Sequence, residues 1–415
     1  MTQGPILIFD KSALECLGVD ETNWLDNFFL SNVTPLFLIE TLADLEKEVG
    51  AGRAPEAVVG HLALRTPDMQ AYPCTHHQKM LGGDLYGEHF PMDGRIPCNS
   101  GRVVKLDNRK GVFFSRTKEE EALQRWYKGE FLDVERQIAK AWRRELCDVD
   151  YAQSYPFFQK WFHLGKPKNL AEAKTLADAY IDGSPQDGSL KFGMALLDIP
   201  EAAQREIFAR WQAAGCPPVR EFAPYFRYVY GVDLFFNFAV SADLISRVRP
   251  AGKVDNKVDI AYLYYLPFCM IFTSKDNLHK RVVPLFLRED QTFVSADDLK
   301  ADLHKLDVYF SSLPDNVKNS GFHNFADCPP EDTSFLVTRL WDKHLPEWRK
   351  MKARKRPIDH SKDKEVIAEL NRIQNTAAAS DPAERISADE TQFVQFVRSP
   401  RRSKGNWNRY GPDVK

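Results

Sequence analysis

Two short apolar segments that each lead to an aspartate constrain the fold of this chain most strongly. Residues 6–9 (ILIF) run directly into Asp10, and residues 269–274 (CMIFTS) are followed closely by Asp276. Both segments are rich in residues that favour β structure, so both are predicted to be buried strands. In an open α/β sheet the carboxyl ends of the strands lie at one edge, where ligands bind. The two aspartates are therefore expected at that edge.

Two other acids stand in comparable positions. Glu40 lies between apolar residues in a predicted helix, and Asp259 precedes the apolar, helix-like segment 260–266. Carboxylates held close together repel one another, and they persist where a hard divalent cation neutralises them. Mg²⁺ and Mn²⁺ prefer oxygen ligands and also bind the phosphates of substrates. The expected metal ligands and catalytic residues are Asp10, Glu40, Asp259 and Asp276.

Each of these acids also has a purely structural interpretation. Asp10 and Asp276 could cap the turns that follow their strands, and Asp259 could be stabilised by a helix dipole. Glu40 could be an ordinary acid of an amphipathic helix, although its apolar neighbours make a solvated position less favourable. The residues that compete with Asp259 for the ligand role are Asp233, Asp243 and Asp255.

The order of the four acids resembles that of the PIN-like nuclease superfamily, which also includes relatives of the FEN-type 5′ nucleases. The resemblance rests on LIFDKSAL with Asp10 and Ser12, LIETLADLE with Glu40, Asp259 ahead of a strand, and Ser274-Lys275-Asp276. It implies an α/β fold, specifically a three-layer α/β/α sandwich with a central, mainly parallel sheet. It also implies a metal-dependent endoribonuclease, in which a metal-activated water hydrolyses the phosphodiester bond.

The spacing of the acids divides the chain. The 218 residues between Glu40 and Asp259 exceed what a compact PIN-like domain needs, so a large, mostly helical insertion is expected. The predicted catalytic domain is discontinuous. Its two predicted parts are residues 1–50 and 250–345. Between them we expect an irregular insertion at 51–112, rich in His, Gly and Pro with little helix, and the helical insertion at 113–249. Residues 346–415 are expected to form a basic, partly flexible C-terminal extension.

Other polar residues are candidates for binding the substrate. Ser12, Ser274, His279, Lys280 and Arg281 lie beside the predicted acids and could contact phosphates, although caps and solvated turns explain them equally well. A zinc site is a weaker expectation, because its cysteine and histidine spacing matches no familiar finger. Its candidate ligands are Cys74, His76, His77, His89 and Cys98.

The C-terminal region contains two basic stretches. Residues 349–356 (RKMKARKR) would suit a phosphate backbone, with a solvated face or flexible tail as the alternative. Residues 398–409 contain several arginines and Trp407, and Tyr410 follows directly. The two aromatic rings could stack on unpaired bases. Nucleic acid is therefore the expected partner, with RNA favoured over DNA, and a regulatory protein or a second copy of the chain is also conceivable.

Bulk properties exclude several classes of protein. The net charge of −2 does not fit a uniformly basic nucleic-acid coat, and the seven scattered cysteines do not suggest a disulfide framework. The N-terminal sequence does not resemble a signal peptide, and the longest uncharged run is too short to span a bilayer. A cytoplasmic protein without membrane association is expected.

Other functions remain open at this level. A PIN-like scaffold without catalytic activity would bind nucleic acid or protein through the insertion and the tail. A structure-specific DNA nuclease is the enzymatic alternative, and a regulated toxin or defence effector is a biological role suggested by analogy. A phosphatase with an aspartate nucleophile is disfavoured, because Ser12 occupies the place of the second aspartate that such an enzyme needs.

Overall fold

The computed structural model describes residues 4–98, 101–138, 141, 158, 160, 166–245, 258–353, 363–381, 384, 386–398 and 401–411. Its central sheet has five strands in the order β3-β2-β1-β6-β7, and all neighbouring strands are parallel. These strands are β1 (Ile6–Phe9), β2 (Leu30–Val33), β3 (Ala71–Pro73), β6 (Ile271–Ser274) and β7 (Thr292–Ser295). The predicted α/β chain with a mainly parallel central sheet is confirmed.

Strand order reverses between β1 and β6. From β1 the chain proceeds outward through β2 to β3, whereas β6 pairs with the opposite side of β1, with Leu7 opposite Ile271. Such a reversal opens a crevice outside the carboxyl ends of the two strands, where open α/β sheets bind ligands. Asp10 follows β1 and Ser274 ends β6, so both flank this crevice.

Alternating residues of β1 face two different cores. Ile8 packs in one hydrophobic cluster, while Leu7 and Phe9 pack in another. Because successive side chains of a strand point to opposite faces, both faces of the sheet are covered. The helices within residues 11–65 and the helix at 296–311 contribute to the Leu7 and Phe9 side, and the helix at 77–86 contributes with the helices of the middle region to the Ile8 side. This arrangement is compatible with a three-layer sandwich.

The helices begin and end with local signals that the sequence carries. Ser295 caps the helix at 296–311 by accepting a hydrogen bond from the amide of Asp298 at 3.5 Å. The α-helices are α1 (Lys11–Cys16), α2 (Val19–Phe28), α3 (Pro35–Gly50), α4 (Pro55–Arg65), α5 (His77–Tyr86), α6 (Lys118–Tyr127), α7 (Leu170–Gly183), α8 (Gln186–Leu196), α9 (Glu201–Ala213), α10 (Val219–Phe222), α11 (Pro224–Ser241), α12 (Asn277–Val282), α13 (Ala296–Ser311), α14 (Asp315–Lys318), α15 (Phe322–Phe325), α16 (Leu336–His344), α17 (Trp348–Ala353) and α18 (Asp363–Ala379). Short 3₁₀ helices span Tyr262–Phe268, Val283–Leu285 and Ala388–Glu390.

In the middle of the chain the described residues form the helices α6 to α11. The longest of these helices, α11, is apolar on nearly all sides and is buried accordingly. Trp126 is 1% exposed and belongs to a core. Trp142, which shares its helical spacing in the sequence, lies outside the described residues.

The prediction that residues 51–112 contain little helix is wrong. They form α4 and α5, strand β3 and two further strands, β4 (Gly101–Leu106) and β5 (Arg109–Phe114). In α5 the glycines that suggested a loop are tolerated because the helix buries Met80, Leu81 and Leu85. Gly83 also leaves room for Glu88 and Phe90, which a β-carbon at this position would approach within 2.5 to 3.0 Å.

The C-terminal region packs against the rest of the chain. Strand β8 (Phe393–Phe396) joins β4 and β5 in a second sheet, and β9 (Ser403–Lys404) pairs with β10 (Trp407–Asn408). Trp407 is 6% exposed, packs against Trp24 and donates a hydrogen bond to Asp307 at 2.6 Å. The prediction that Trp407 stacks on unpaired bases is therefore wrong, because this ring is part of a core.

The basic stretch at 349–356 belongs only in part to the described residues. In the basic stretch at 349–356, Arg349 pairs with Asp342 at 2.9 Å, and residues 354–356 lie outside the described residues.

Across the part of the chain that is described, we find no helix with the length and apolar character needed to cross a bilayer.

Candidate functional site

The candidate site lies where the carboxyl ends of β1 and β6 meet. The Oγ of Ser274 donates a hydrogen bond to Oδ2 of Asp10 at 2.6 Å, which joins the two strand ends directly. Both side chains are buried, with Asp10 3% and Ser274 0% exposed. The prediction that the ends of these two strands lie together at one edge of the sheet is confirmed.

Asp10 is held in one orientation by its immediate sequence. Its Oδ1 accepts a hydrogen bond from the amide of Ala13 at 2.8 Å and so caps α1. The hydroxyl of Ser12 lies 2.9 Å from both carboxylate oxygens and also accepts a hydrogen bond from the amide of Lys275 at 3.2 Å. The capping role and a role in the site therefore coexist in the same residue, and Ser12 connects the β1 turn to the β6 turn.

His279, on α12, contacts three parts of the site. Its Nδ1 lies 3.2 Å from Oδ2 of Asp10 and 2.8 Å from Oγ of Ser274, and its Nε2 lies 2.7 Å from the carbonyl oxygen of Asp259. A carbonyl and a carboxylate only accept hydrogen bonds, so the ring is best satisfied with a proton on each nitrogen. The sequence predicts His279 only as a contact to substrate, and not in this central position.

Charge pairing shifts the pKa values of both partners. Burial alone would raise the pKa of Asp10, but the hydrogen bond and positive charge of His279, with the hydroxyl of Ser274, hold it below its ordinary value. Burial likewise opposes the charged form of His279, but the hydrogen bond and negative charge of Asp10 raise its pKa to about 9. The two residues therefore form a buried ion pair at neutral pH.

Glu40 and Asp259 complete the acidic group. Burial raises the pKa of Glu40 to about 8, and the negative charges of Asp10 and Asp259 add to the shift. The hydroxyl of Tyr262 donates a hydrogen bond to Oε2 of Glu40 at 2.7 Å. The structure thus brings Asp10, Glu40 and Asp259 into one electrostatic environment, although they come from the turn after β1, from α3 and from the segment ahead of β6.

Tyr262 was not predicted from the sequence. It follows Asp259 by three residues, and residues 258–261 are helical and lead into the 3₁₀ helix, so the two residues are close to one turn apart. That spacing is the signal that could have identified it. Its phenol is buried, and the pKa of Tyr262 lies well above its ordinary value because of burial and the neighbouring acids. It therefore acts as a neutral hydrogen-bond donor.

Two competitors of Asp259 occupy other places. Asp233 accepts a hydrogen bond from the hydroxyl of Tyr264, and Asp243 pairs with Lys166 at 3.8 Å. Asp255 lies outside the described residues. Within the described part of the chain, Asp259 is therefore the acid of this segment that shares the environment of Asp10 and Glu40.

Asp276 reaches the same edge but is engaged differently. Its Oδ1 accepts hydrogen bonds from the amides of Leu278 and His279, the latter at 3.3 Å, and so caps α12. Its own amide donates to Oγ of Ser274 at 2.9 Å. Asp276 thereby fixes the start of the helix that carries His279.

Lysines border the acidic group. The buried Lys11 donates to Asp44 at 2.7 Å, and its positive charge acts against the raised pKa of Glu40. Lys275 and Lys280 both face Asp297, at 3.3 and 3.9 Å, and are 52% and 37% exposed. Of the predicted substrate contacts, Lys280 is thus available at the surface, and Lys275 is a neighbour that the sequence analysis did not single out.

Arg281, the other predicted basic contact, points elsewhere in the fold. Its Nη2 donates to the carbonyl of Leu244 at 3.2 Å. This bond ties α12 to the end of the helical region and does not involve the acidic group.

The acidic group fits a divalent cation in chemistry, but its side chains would have to reorient before they could surround one. Its carboxylates are the ligands that Mg²⁺ and Mn²⁺ prefer, and their mutual repulsion is the kind that a cation relieves. Among the described residues, however, no group of three or more His, Cys, Asp or Glu side chains is arranged to hold a metal ion. An ion would also have to compete with His279 for Asp10, because that imidazole already contacts the carboxylate.

The same finding applies to the zinc prediction, for which the described residues provide no ready arrangement of ligands. The rings of His76 and His77 stack with centroids 4.4 Å apart, and the amide of His77 donates to the hydroxyl of Tyr265 at 2.9 Å. Cys74 and Cys98 lie opposite each other in a β-bridge.

No protein-family model, curated protein or solved structure matches this chain.

Proposed function

We propose that this chain is a PIN-like, Mg²⁺- or Mn²⁺-dependent nuclease with RNA as its first substrate. The observation that carries the proposal is the meeting of Asp10, Glu40 and Asp259 beside the paired ends of β1 and β6. Burial and the charges of the other two acids accordingly raise the pKa of Glu40 to about 8. Three acids from separate segments are costly to gather in one buried place unless a cation or proton compensates them. Asp10, Glu40 and Asp259 would hold the ion.

The position of the acids supports the same proposal. They lie beside the crevice between β1 and β6, where the order of the parallel strands reverses. When bound, a divalent ion would supply activation of water and stabilisation of developing charge on a phosphodiester. Ser274, Ser12 and His279 orient Asp10 through hydrogen bonds, and Tyr262 orients Glu40. The exposed Lys275 and Lys280 would face the phosphate backbone.

The test combines metal binding with cleavage. Calorimetric titration of the purified chain with Mn²⁺ should show binding that Glu40→Gln and Asp259→Asn each weaken at least tenfold. Cleavage of a labelled single-stranded RNA should require Mn²⁺ and should fall at least a hundredfold in Asp10→Asn. Asp315→Asn is the matched control, because the side chain of Asp315 is 90% exposed. Unchanged Mn²⁺ affinity in both acid variants would refute the proposed ligands.

A second function is favoured by the hydrogen bonds of Asp10. Its carboxylate is already satisfied by Ser12, Ala13, Ser274 and His279, which suits a PIN-like scaffold that binds nucleic acid without cleaving it. A gel-shift titration in the same Mn²⁺ buffer separates the two. Retention of intact RNA by a chain that cleaves neither RNA nor a branched DNA substrate would favour the scaffold, and cleavage of the DNA alone would favour a DNA nuclease.

A further inference from the structure

Cys74 and Cys98 lie opposite each other between the central sheet and the sheet that contains β4, β5 and β8. Cys74 directly follows β3, and Cys98 precedes the hairpin of β4 and β5. They are partners in an isolated antiparallel bridge. The hydrogen bond beside them runs from the amide of Thr75 to the carbonyl of Pro97 at 2.7 Å. Because this bond joins flanking residues and not the cysteines themselves, Cys74 and Cys98 form a non-hydrogen-bonded pair.

Such a pair has the spacing that a disulfide requires. The Cα atoms of a non-hydrogen-bonded pair lie about 4.5 Å apart, the closer of the two spacings in an antiparallel ladder. Disulfides bridge Cα atoms that are ~4.4 to 6.8 Å apart. The two thiols also interact electrostatically. Burial raises the pKa of Cys74 well above its ordinary value, and the neighbouring Cys98 adds to this shift.

We propose that Cys74 and Cys98 form a cross-strand disulfide when the chain meets a small-molecule disulfide such as oxidised glutathione. One cysteine attacks a sulfur of the oxidant as its thiolate, which breaks the S–S bond of the oxidant and releases one thiol. The second cysteine then attacks the mixed disulfide and releases the other thiol. The two cysteines lose two protons and two electrons in total, and these are recovered in the two thiols of the reduced oxidant.

The bond would fasten the edge of the central sheet to the start of the second sheet. The closed loop contains α5 and Gly94, whose amide donates to the carbonyl of Pro267 at 2.9 Å. Burial disfavours both thiolates, and it raises the pKa of Cys98 to about 12 although the positive charge of Arg398 acts in the opposite direction. Formation is therefore expected to be slow, and the bond, once formed, is expected to resist reduction.

A third thiol provides an internal competitor. Cys269 is fully buried, and its proximity also contributes to the raised pKa of Cys74. Its Sγ lies 3.4 Å from the carbonyl oxygen of Leu266, and it precedes β6, so it has no cross-strand relationship to Cys74. Pairing with Cys98 is accordingly favoured over pairing with Cys269.

Peptide mapping of the full chain tests the bond. The chain is incubated with oxidised glutathione, unfolded in the presence of an alkylating reagent and digested with trypsin without reduction. Cys74, Cys98 and Cys269 are each the sole cysteine of their tryptic peptides, which span 66–79, 96–102 and 258–275. The expected product links 66–79 to 96–102 and disappears on reduction. Full alkylation of both cysteines, a glutathione adduct alone, or a link between 66–79 and 258–275 would each overturn the proposal.

Variants separate the disulfide from other effects of oxidation. Oxidised wild-type protein should unfold several degrees higher than reduced protein, because the cross-link restricts the unfolded chain. Cys98→Ser should lose both the linked peptide and the shift, while Cys216→Ser, which changes an exposed cysteine, should keep both. A linked protein with an unshifted midpoint would refute the stabilising role. None of these readouts depends on nuclease activity.

Discussion

The Nδ1 atom of His279 lies 3.2 Å from Oδ2 of Asp10 in a pocket where both side chains are almost completely buried. The other nitrogen of the ring lies 2.7 Å from the carbonyl oxygen of Asp259. One imidazole therefore connects the end of β1, the helix that follows β6, and the segment that carries the third acid. The ring supplies the positive charge that balances Asp10.

Replacement of His279 by alanine is expected to destabilise the chain by about 3 to 5 kcal/mol, the usual cost of leaving a buried charge without its partner. Equilibrium unfolding in urea at pH 7 measures this loss. His304→Ala is the matched control, because the side chain of His304 is 67% exposed, and it should change the free energy of unfolding little. Equal midpoints for the two variants would contradict the buried ion pair.

The stabilisation by His279 should depend on pH in a defined window. The pKa of His279 is raised from 6.5 to about 9 on folding, so its contribution is complete below pH 6.5 and is lost as the pH rises towards 9. The pKa of Asp10 is lowered from 3.8, so its contribution is present above that value and is lost as the pH falls through the lower, folded value. The difference in unfolding free energy between wild type and His279→Gln, measured from pH 6 to 10, should therefore shrink with pH. A constant difference would count against the charged imidazole.

Local sequence signals predicted one half of the site. The strands that lead to Asp10 and Ser274 could be predicted because a short apolar run followed by a polar turn is a local pattern. The role of His279 could not, because its partner Asp10 is 269 residues away in sequence. Nothing near His279 in the sequence indicates which distant carboxylate it will meet.

The elements that sequence analysis missed depend on tertiary contacts in the same way. Strand β3 is only three residues long and ends in Pro73, so its own residues hardly favour a strand. It forms because its backbone pairs with β2, with Ser31 opposite Ala71. The sequence indicates that Trp407 could stack on unpaired bases, because its partners Trp24 and Asp307 are far away in the sequence.

Replacement of Glu40 by glutamine is expected to stabilise the metal-free chain by about 4 kcal/mol near pH 7.5, because each unit by which the pKa of the acid is raised costs the charged folded state about 1.4 kcal/mol. The pKa of Glu40 is raised from 4.5 to about 8 on folding. Because the ionised carboxylate is less favourable in the folded protein than in the unfolded chain, the free energy of unfolding falls as the pH rises from 4.5 to about 8. Above pH 8 this contribution no longer changes. Below pH 4.5 the two proteins should have nearly equal stability.

Thermal unfolding in buffer with a chelator measures the effect of Glu40→Gln, and Mn²⁺ should reverse its sign if the ion is held by the acids. Glu48→Gln is the control on the same helix, since Glu48 forms a surface ion pair with Arg53 at 2.7 Å and such pairs contribute little. A destabilised Glu40→Gln variant in chelator would show that the hydrogen bond from Tyr262 outweighs the repulsion among the acids.

Replacement of Arg409 by alanine is expected to cost about 3 to 5 kcal/mol, because it leaves two neighbouring carboxylates without their shared cation in a buried place. Arg409 is 0% exposed, and its Nη2 lies 3.0 Å from Oδ2 of Asp26 and also pairs with Asp68. Asp26 in turn accepts hydrogen bonds from the amides of Met69 and Gln70, so the C-terminal segment closes over the loop that leads into β3.

Arg409→Lys should recover only part of this loss, because the ammonium group keeps the charge but has to reach the place where the single Nη2 atom contacts both carboxylates. Arg220→Ala is the control, since the side chain of Arg220 is 63% exposed. Urea unfolding and limited proteolysis of the three variants together decide the matter. If residues 401–411 are structural, Arg409→Ala will both unfold earlier and be cleaved faster near its C-terminus, whereas a merely attached tail would be cleaved faster with no change in the unfolding midpoint.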